Sequence, residues 1–195
     1  LAWSRSGQWL PYAFQADMRH RIIKLCDTRD GSLTEVTAPE FQDHAPAFDP
    51  EGRYLYFLSV RTFDPVYDSV QFELSFPRAG RPYLVALRAD GRPPFDPEPR
   101  GMKDEAKGAD DADKGEAAHG AAAAPQATRI DLEGLPRRIA AFPVPEDRFG
   151  QLAGLAGGKL LWTLLPIAGA HGRGGHKEGP GRLQRFDIAT GEAET

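Results

Sequence analysis

The chain has 195 residues, 41% of them apolar and 27% charged, with a formal charge of −4, the size of one domain and the composition of a soluble globular protein. The negative balance excludes a nucleic-acid partner held by phosphate neutralisation. The longest apolar stretch, Leu160 to Ala170, falls far short of the roughly 20 residues of a membrane-spanning helix.

Twenty-one glycines and 17 prolines argue against long helices and for short strands joined by turns. From the N-terminal end, Ala2-Trp3-Ser4-Arg5-Ser6-Gly7-Gln8-Trp9-Leu10 lines up with Ala47-Phe48-Asp49-Pro50-Glu51-Gly52-Arg53-Tyr54-Leu55. Both read as small residue, aromatic, Ser/Asp, two turn residues, glycine, polar residue, aromatic, leucine. Trp3 and Phe48 are 45 residues apart, the length of one four-stranded propeller blade. A second glycine turn recurs at Asp27-Thr28-Arg29-Asp30-Gly31, Leu87-Arg88-Ala89-Asp90-Gly91 and Asp187-Ile188-Ala189-Thr190-Gly191. Such turns place glycine where φ is positive.

The first unit is therefore expected to run as strands Leu1–Ser4, Trp9–Gln15, Arg21–Cys26 and Leu33–Thr37. The second follows as Pro46–Asp49, Arg53–Ser59, Pro82–Arg88 and Thr128–Leu132, with Tyr54-Leu55-Tyr56-Phe57-Leu58 apolar on both faces, as in a strand held between neighbouring blades. The third is more degenerate: Phe149–Ala156, Lys159–Leu164 and Arg182–Ile188, with a fourth strand beginning at Glu192. The fold class read from this is all-β, a partial β-propeller of about three four-stranded antiparallel blades over 1–42, 43–135 and 136–195. Trp3 and Phe48 are expected to be buried at equivalent positions, as are Leu10 and Leu55. Three blades cannot close a ring of four to eight, so the chain reads as a fragment of a larger protein.

Two segments depart from the repeat. Between Asp96 and His119 eight acids face four bases, which accounts for the whole net charge. With the alanine run after it, this stretch reads as a disordered, low-complexity insertion over 92–126 that acts as a spacer. The other segment is Arg61 to Arg81, longer than the link at the same place in the first unit. Phe63, Tyr67, Phe72 and Phe76, with Tyr83 just beyond, accompany Arg61, Arg78 and Arg81. Aromatic–arginine combinations are favoured at interfaces, and loops on a rigid scaffold carry function. Arg61, Phe63, Tyr67, Phe72, Phe76, Arg78 and Arg81 are therefore candidate peptide or interface contacts; the competing reading is a long hairpin whose aromatics cover the blade.

The chemistry-bearing patterns are sparse. Gly-x-Ser-x-Gly, His-Glu-x-x-His, the P-loop and Gly-x-Gly-x-x-Gly are all missing. Cys26 alone excludes an internal disulfide and a multi-cysteine zinc site, and its apolar run makes it a packed small residue. His171 and His176 lack a third ligand and read as a flexible loop, His119 as solvated, His20 as a surface residue and His44 as a hydrogen-bonding one. Asp64 and Asp68 flank Pro65 as loop caps. No catalytic residue, cofactor or metal is assigned to this chain.

Phe48-Asp49-Pro50-Glu51-Gly52-Arg53-Tyr54-Leu55-Tyr56-Phe57-Leu58-Ser59, Arg61-Thr62-Phe63-Asp64-Pro65-Val66-Tyr67-Asp68-Ser69, Arg81-Pro82-Tyr83-Leu84, Ile130-Asp131-Leu132-Glu133-Gly134-Leu135 and Ala141-Phe142-Pro143-Val144-Pro145 resemble the second propeller of the tricorn proteases. Arg5 stands where such strand-turn repeats carry proline. The resemblance implies a large cytoplasmic serine peptidase with two propellers, a PDZ-like domain and C-terminal catalytic subdomains outside this chain. It further implies oligopeptide substrates, a homohexamer, and a propeller that filters and conducts peptides. Two alternatives stay open: a non-enzymatic TolB-like binding propeller, and the propeller of a prolyl-oligopeptidase-type hydrolase with a downstream Gly-x-Ser-x-Gly.

Overall fold

The computed structural model describes residues 2–68, 73–91, 93–95, 128–166 and 180–195. The strands in it are β1 (Trp9–Gln15), β2 (Arg21–Asp27), β3 (Leu33–Glu35), β4 (Gln42–Phe48), β5 (Tyr54–Val60), β6 (Val66–Asp68), β7 (Glu73–Ser75), β8 (Gly80–Ala86), β9 (Ile139–Ala141), β10 (Phe149–Leu155), β11 (Lys159–Leu164), β12 (Arg182–Asp187) and β13 (Glu192–Glu194). A single 3-10 turn, Leu135–Arg137, is the helical element among the described residues. The all-β partial propeller is what the breaker content and the repeat predict.

Three units are visible. The first is β1-β2-β3, the second β4-β5-β8-β9 and the third β10-β11-β12-β13, each antiparallel throughout. The first two are not separate sheets. After β3 the chain stays on the edge of β2, with Val36 N–H donating to the Ile23 carbonyl and Ile23 N–H donating to Thr37 Oγ1. It then enters β4 through one parallel pair, Arg21 with Gln42.

The repeated turns match at the level of single hydrogen bonds. Ser4 N–H donates to the Trp9 carbonyl at 2.9 Å and Asp49 N–H to the Tyr54 carbonyl at 3.0 Å. Gly7 and Gly52 close the turns with φ of 72° and 73°, the left-handed region that glycine enters without a steric penalty. Gly31 and Gly191 also have positive φ, whereas Gly91 turns without one, its N–H donating to the Arg88 carbonyl.

Two layers of core lie between the units. Trp9, Ile23, Leu25, Phe48, Leu55, Phe57 and Val85 pack the first unit on the second. Tyr56, Leu84, Phe142, Leu160, Trp162, Leu164 and Phe186 pack the second on the third. In this second layer the Phe142 and Phe186 rings meet edge to face at 5.2 Å, and Trp162 lies 5.4 Å from Phe186, favoured geometries for quadrupolar rings. β5 supplies both layers, which explains its unbroken apolar run. Leu55 and Leu160 each face the unit before their own. The expected burial of Trp3 and Leu10 fails for the same reason: among the described residues no unit packs on that side of the first one. Trp3 is 54% exposed and Leu10 half-buried, while Phe48 and Leu55 are buried.

Three further expectations are corrected. Residues 2–4 carry no strand. Thr128–Leu132 is not the outer strand of the second unit, a place taken by β9 on β8. Thr128 is instead buried, its carbonyl accepting from Trp9 Nε1 at 3.2 Å, and Asp131 N–H donates to the Leu87 carbonyl. The segment thus seals the turn end of the first core before Gly134 and Pro136 redirect the chain toward β8. Cys26 is half-buried rather than packed away. The insertion 92–126 lies outside the described residues, apart from residues 93–95, where the Phe95 ring packs at a tilt against Phe142, 5.0 Å between centroids.

Candidate functional site

The Arg61–Arg81 link leaves β5 and returns to β8 at the end of the second unit opposite the Gly52 turn. Its arginines behave differently from one another. Arg61 lies 4.4 Å over the Tyr83 ring, 4.6 Å over Phe41 and 5.5 Å over Phe57. Its Nε donates to Ser59 Oγ at 2.9 Å and its Nη2 lies 3.3 Å from the fully buried Asp43 carboxylate. Ser59 Oγ in turn donates to Asp43. A guanidinium caged by three rings and a buried carboxylate is a clamp at the foot of the link. Asp43 Oδ2 has no hydrogen-bond partner among the described residues.

Arg81 pairs with Glu146 at 2.9 Å, and Thr62 Oγ1 donates to the same carboxylate at 2.9 Å. The backbone N–H of Glu146 itself, with Thr62 and Arg81 beside it, outweighs burial and holds Glu146 below the usual carboxylate range. Gly80 and Asp147 exchange backbone hydrogen bonds at 3.2 and 3.0 Å, tying the second unit to the approach of the third. Arg78 reaches Asp147 at only 3.8 Å and stays largely exposed. With Arg182, Leu164, Leu165, Pro166 and Pro180 these two residues line a cleft of about 280 Å³ between the units.

Between those feet the chain forms the two-stranded antiparallel ribbon β6–β7. Phe63, 78% exposed, packs at a tilt against Phe76, 5.3 Å between ring centroids, beside it, and Tyr67 is exposed on β6. The structure thus separates the candidates: Arg61 and Arg81 turn inward as clamps, while Phe63, Tyr67, Phe76 and Arg78 are presented to solvent. Phe72 lies outside the described residues, as do His119, His171 and His176. Glu146, Asp147 and Arg182 have no sequence pattern that would single them out; they reach this end only through the pairing of Gly80 with Asp147 and of β11 with β12.

The remaining titratable groups are local. His20 Nδ1 sits 2.8 Å from Asp17, and that hydrogen bond, with the N–H groups of Arg19 and His20, lowers Asp17 to about 2. Burial lowers His44, whose Nδ1 lies 3.3 Å from the Gln42 carbonyl. At the turn end, burial and the neighbouring Glu51 carboxyl raise Asp49 despite Arg53 at 3.0 Å. Glu51 also accepts from Gly157 N–H of the third unit at 2.8 Å. No group of three metal-ligating side chains occurs among the described residues. Nor is any helix among them long and apolar enough to cross a membrane.

The model of the tricorn protease second beta propeller domain matches residues 1–195. Tricorn protease homolog 1 of Streptomyces coelicolor is 36% identical over 198 residues, covering 100% of this chain and 18% of the relative. The chain therefore spans less than a fifth of that protein's length. Among solved structures, the crystal structure of the tricorn protease superposes with a TM-score of 0.73 at 23% identity, over 99% of this chain and 17% of the other. A putative TolB from Agrobacterium tumefaciens superposes with a TM-score of 0.54 at 15% identity, over 99% of this chain and 46% of the other, a likeness of fold alone. With the whole length matched by the family model and the repeat geometry in place, the chain belongs to the tricorn protease second β-propeller family.

Proposed function

We propose that this chain is the propeller segment of a tricorn-like serine peptidase, where it filters and conducts oligopeptides toward an active site carried elsewhere in the polypeptide. The observation that supports this reading is the family match over every residue of a chain that makes up less than a fifth of its relative. The chemistry of the chain agrees with a conducting role. Ser59 is buried and held between Asp43 and Arg61, with no imidazole in reach of its hydroxyl among the bonds described. Among the described residues no nucleophile and base are paired in the manner that covalent catalysis needs.

In this proposal the side chains of the Arg61–Arg81 link meet peptides or neighbouring domains, with Phe63, Tyr67, Phe72, Phe76 and Arg78 as contacts and Arg61 and Arg81 as their supports. The remaining blades, a PDZ-like domain and the protease domains complete a cytoplasmic homohexamer. The three units of this chain contribute one arc of its ring. The test is kinetic. In the full-length protein, Phe63→Ser with Phe76→Ser should lower kcat/KM for peptides of about fifteen residues roughly tenfold relative to that for a tripeptide ester, because only long substrates use remote binding energy. Equal losses on both substrates would refute a filtering role at this end.

A further inference from the structure

At the turn end of the first two units Arg5, Arg53, Arg88 and Arg129 line one cleft of about 410 Å³, together with Gly52 and Thr128. The four arginines come from separate stretches: the turn before β1, the turn between β4 and β5, the end of the chain's run beyond β8, and the segment that seals the first core. Two of them are satisfied where they stand. Arg53 Nε donates to Asp49 at 3.0 Å and its Nη2 to Glu51 at 3.3 Å, and Arg88 forks onto Asp90 at 2.8 and 2.5 Å. The other two are not. Among the described residues no hydrogen bond or ion pair holds the Arg5 side chain. Arg129 Nε stops 3.7 Å from Asp131, beyond hydrogen-bond reach, and the second oxygen of that carboxylate accepts from Ala89 N–H. Thr128 adds a hydroxyl. It is only 9% exposed and packs on the Gly52 turn, where an added Cβ would stand 3.3 Å from its Cγ2 and 3.5 Å from its Oγ1. Its carbonyl accepts from Trp9 Nε1, whereas its Oγ1 makes no hydrogen bond among the described residues. Arg5 is also a departure from the repeat, since Pro50 takes its place in the second unit. The turn itself has no need of arginine there, because proline pre-sets the φ of that position.

We infer that this cleft is an oxyanion site that takes a phosphate or phosphoryl group. Like charges gathered from four stretches of chain repel one another until something compensates them. Carboxylates of their own turns compensate Arg53 and Arg88; the forks of Arg5 and Arg129 are left for a ligand. Two guanidinium forks and a hydroxyl match the several acceptor oxygens of a tetrahedral anion, whereas a carboxylate fills a single fork. The cleft lies toward the small end of ligand sites, which run from roughly 300 to 1,000 Å³, so one phosphoryl group with a short substituent fits. Arg5 belongs to the first unit, Arg53 and Arg88 to the second, and Arg129 to the segment laid across both. An occupant therefore ties the turn ends of the two units together and stabilises their assembled form by mass action. The site is independent of the peptide-conducting role proposed above.

The probes are inorganic phosphate and glycerol phosphate, titrated calorimetrically into the full-length protein at fixed ionic strength, with acetate as the control. Phosphate should bind with a dissociation constant below about 1 mM, and acetate about tenfold more weakly or not at all. Arg5→Gln with Arg129→Gln removes both free forks and should weaken phosphate about tenfold or more, the usual consequence of losing charge-assisted hydrogen bonds. Arg5→Pro restores the residue of the second unit, and Thr128→Val keeps the buried shape. Each should weaken phosphate severalfold while the thermal midpoint in phosphate-free buffer stays in place. Should the double variant unfold early, these two decide the matter. Tighter binding of the glycerol ester than of the free ion would identify the ligand as a metabolite's phosphoryl group; the reverse order would identify it as the free ion. Equal binding of acetate and phosphate would reduce the cleft to ordinary screening of surface charge and overturn the proposal. A phosphate affinity indifferent to all of these variants would overturn it as well.

Discussion

Arg61 and Asp43 form a pair whose parts cannot be removed singly at low cost. Arg61→Ala leaves a fully buried carboxylate with only Ser59 to satisfy it, and breaking a buried pair by losing one partner costs about 3–5 kcal/mol. Urea unfolding should show that loss, and Asp43→Asn combined with Arg61→Met should recover much of it, because no unpaired charge then remains. At Gly154 the constraint is space. An added Cβ would collide with the Phe48 carbonyl oxygen and stand 3.0 Å from Pro50 Cδ, so Gly154→Ala should destabilise by about 1–3 kcal/mol, read as a lower thermal midpoint with an unchanged strand spectrum. Titration adds a residue-scale prediction with a defined sign. Burial lowers His44 beneath its ordinary 6.5, with the Gln42 carbonyl, Arg21 and Asp43 as its neighbours. The unfolded chain therefore takes up the proton first. The stability from neutral His44 is complete above that value and is lost as pH falls through the folded one. Asp17, held at about 2, contributes above 3.8 and loses its contribution as pH falls toward 2. Asp49, raised by burial, acts with the opposite sign, favouring the folded state at low pH and losing that advantage as pH rises through its folded value. The urea midpoint should fall between pH 7.5 and 5.5, and His44→Gln should flatten that segment of the profile.

Among the elements, the strands legible from sequence are those whose signals are local. The Ser4/Asp49-to-Gly7/Gly52 turns announce themselves because an oxygen-bearing side chain caps a glycine turn: Ser4 Oγ accepts from Trp9 N–H and Asp49 Oδ2 from Arg53 N–H. The unbroken run of β5 is equally plain, since two cores draw on it. β9 was not legible. Ile139-Ala140-Ala141 is short and weakly apolar, whereas Ile130-Asp131-Leu132 alternates like a strand yet packs across the turn end of the first core. Only the pairing partner, β8, decides between them. The candidate site was legible as a cluster of residue types and not as an arrangement, because the division into inward Arg61 and outward Phe63 depends on Phe41, Asp43 and Tyr83, which are distant in sequence. The insertion 92–126 belongs to this scale as well. Loop-closure entropy grows only logarithmically with length, so exchanging the acidic Ala/Gly-rich part beyond Phe95 for a short Gly/Ser link should shift the unfolding midpoint by no more than a few degrees.

At the scale of the whole molecule, the two cores lie between units and each unit brings half of a core to its neighbour. The outer face of the third unit leaves Leu183 exposed as the outer face of the first leaves Trp3 exposed. Produced by itself, the chain should bind an apolar dye at these faces. A longer stretch of the same polypeptide that adds the adjoining repeats should abolish that binding and raise the thermal midpoint. The units differ in how firmly they are joined. Between second and third, Glu51 reaches the Gly157 N–H, while Gly80 and Asp147 exchange bonds at the opposite end, so the pair is pinned at both ends of its shared core.

The close approach of Gly154 to Phe48 has a geometric consequence for any ring built from such units. There the backbone of β10 comes up against the Phe48 carbonyl of β4, with the Pro50 ring beside it. That point is a pivot. The aromatic cluster of Phe142, just after β9, with Trp162 on β11 and Phe186 on β12, sits farther out, where added or lost bulk spreads or closes the wedge about the pivot. Curvature, and with it the bore of the closed ring, is therefore adjusted by residues remote from the axis, while one hydrogen in place of a methyl group at position 154 keeps the hinge of every such adjustment where it is.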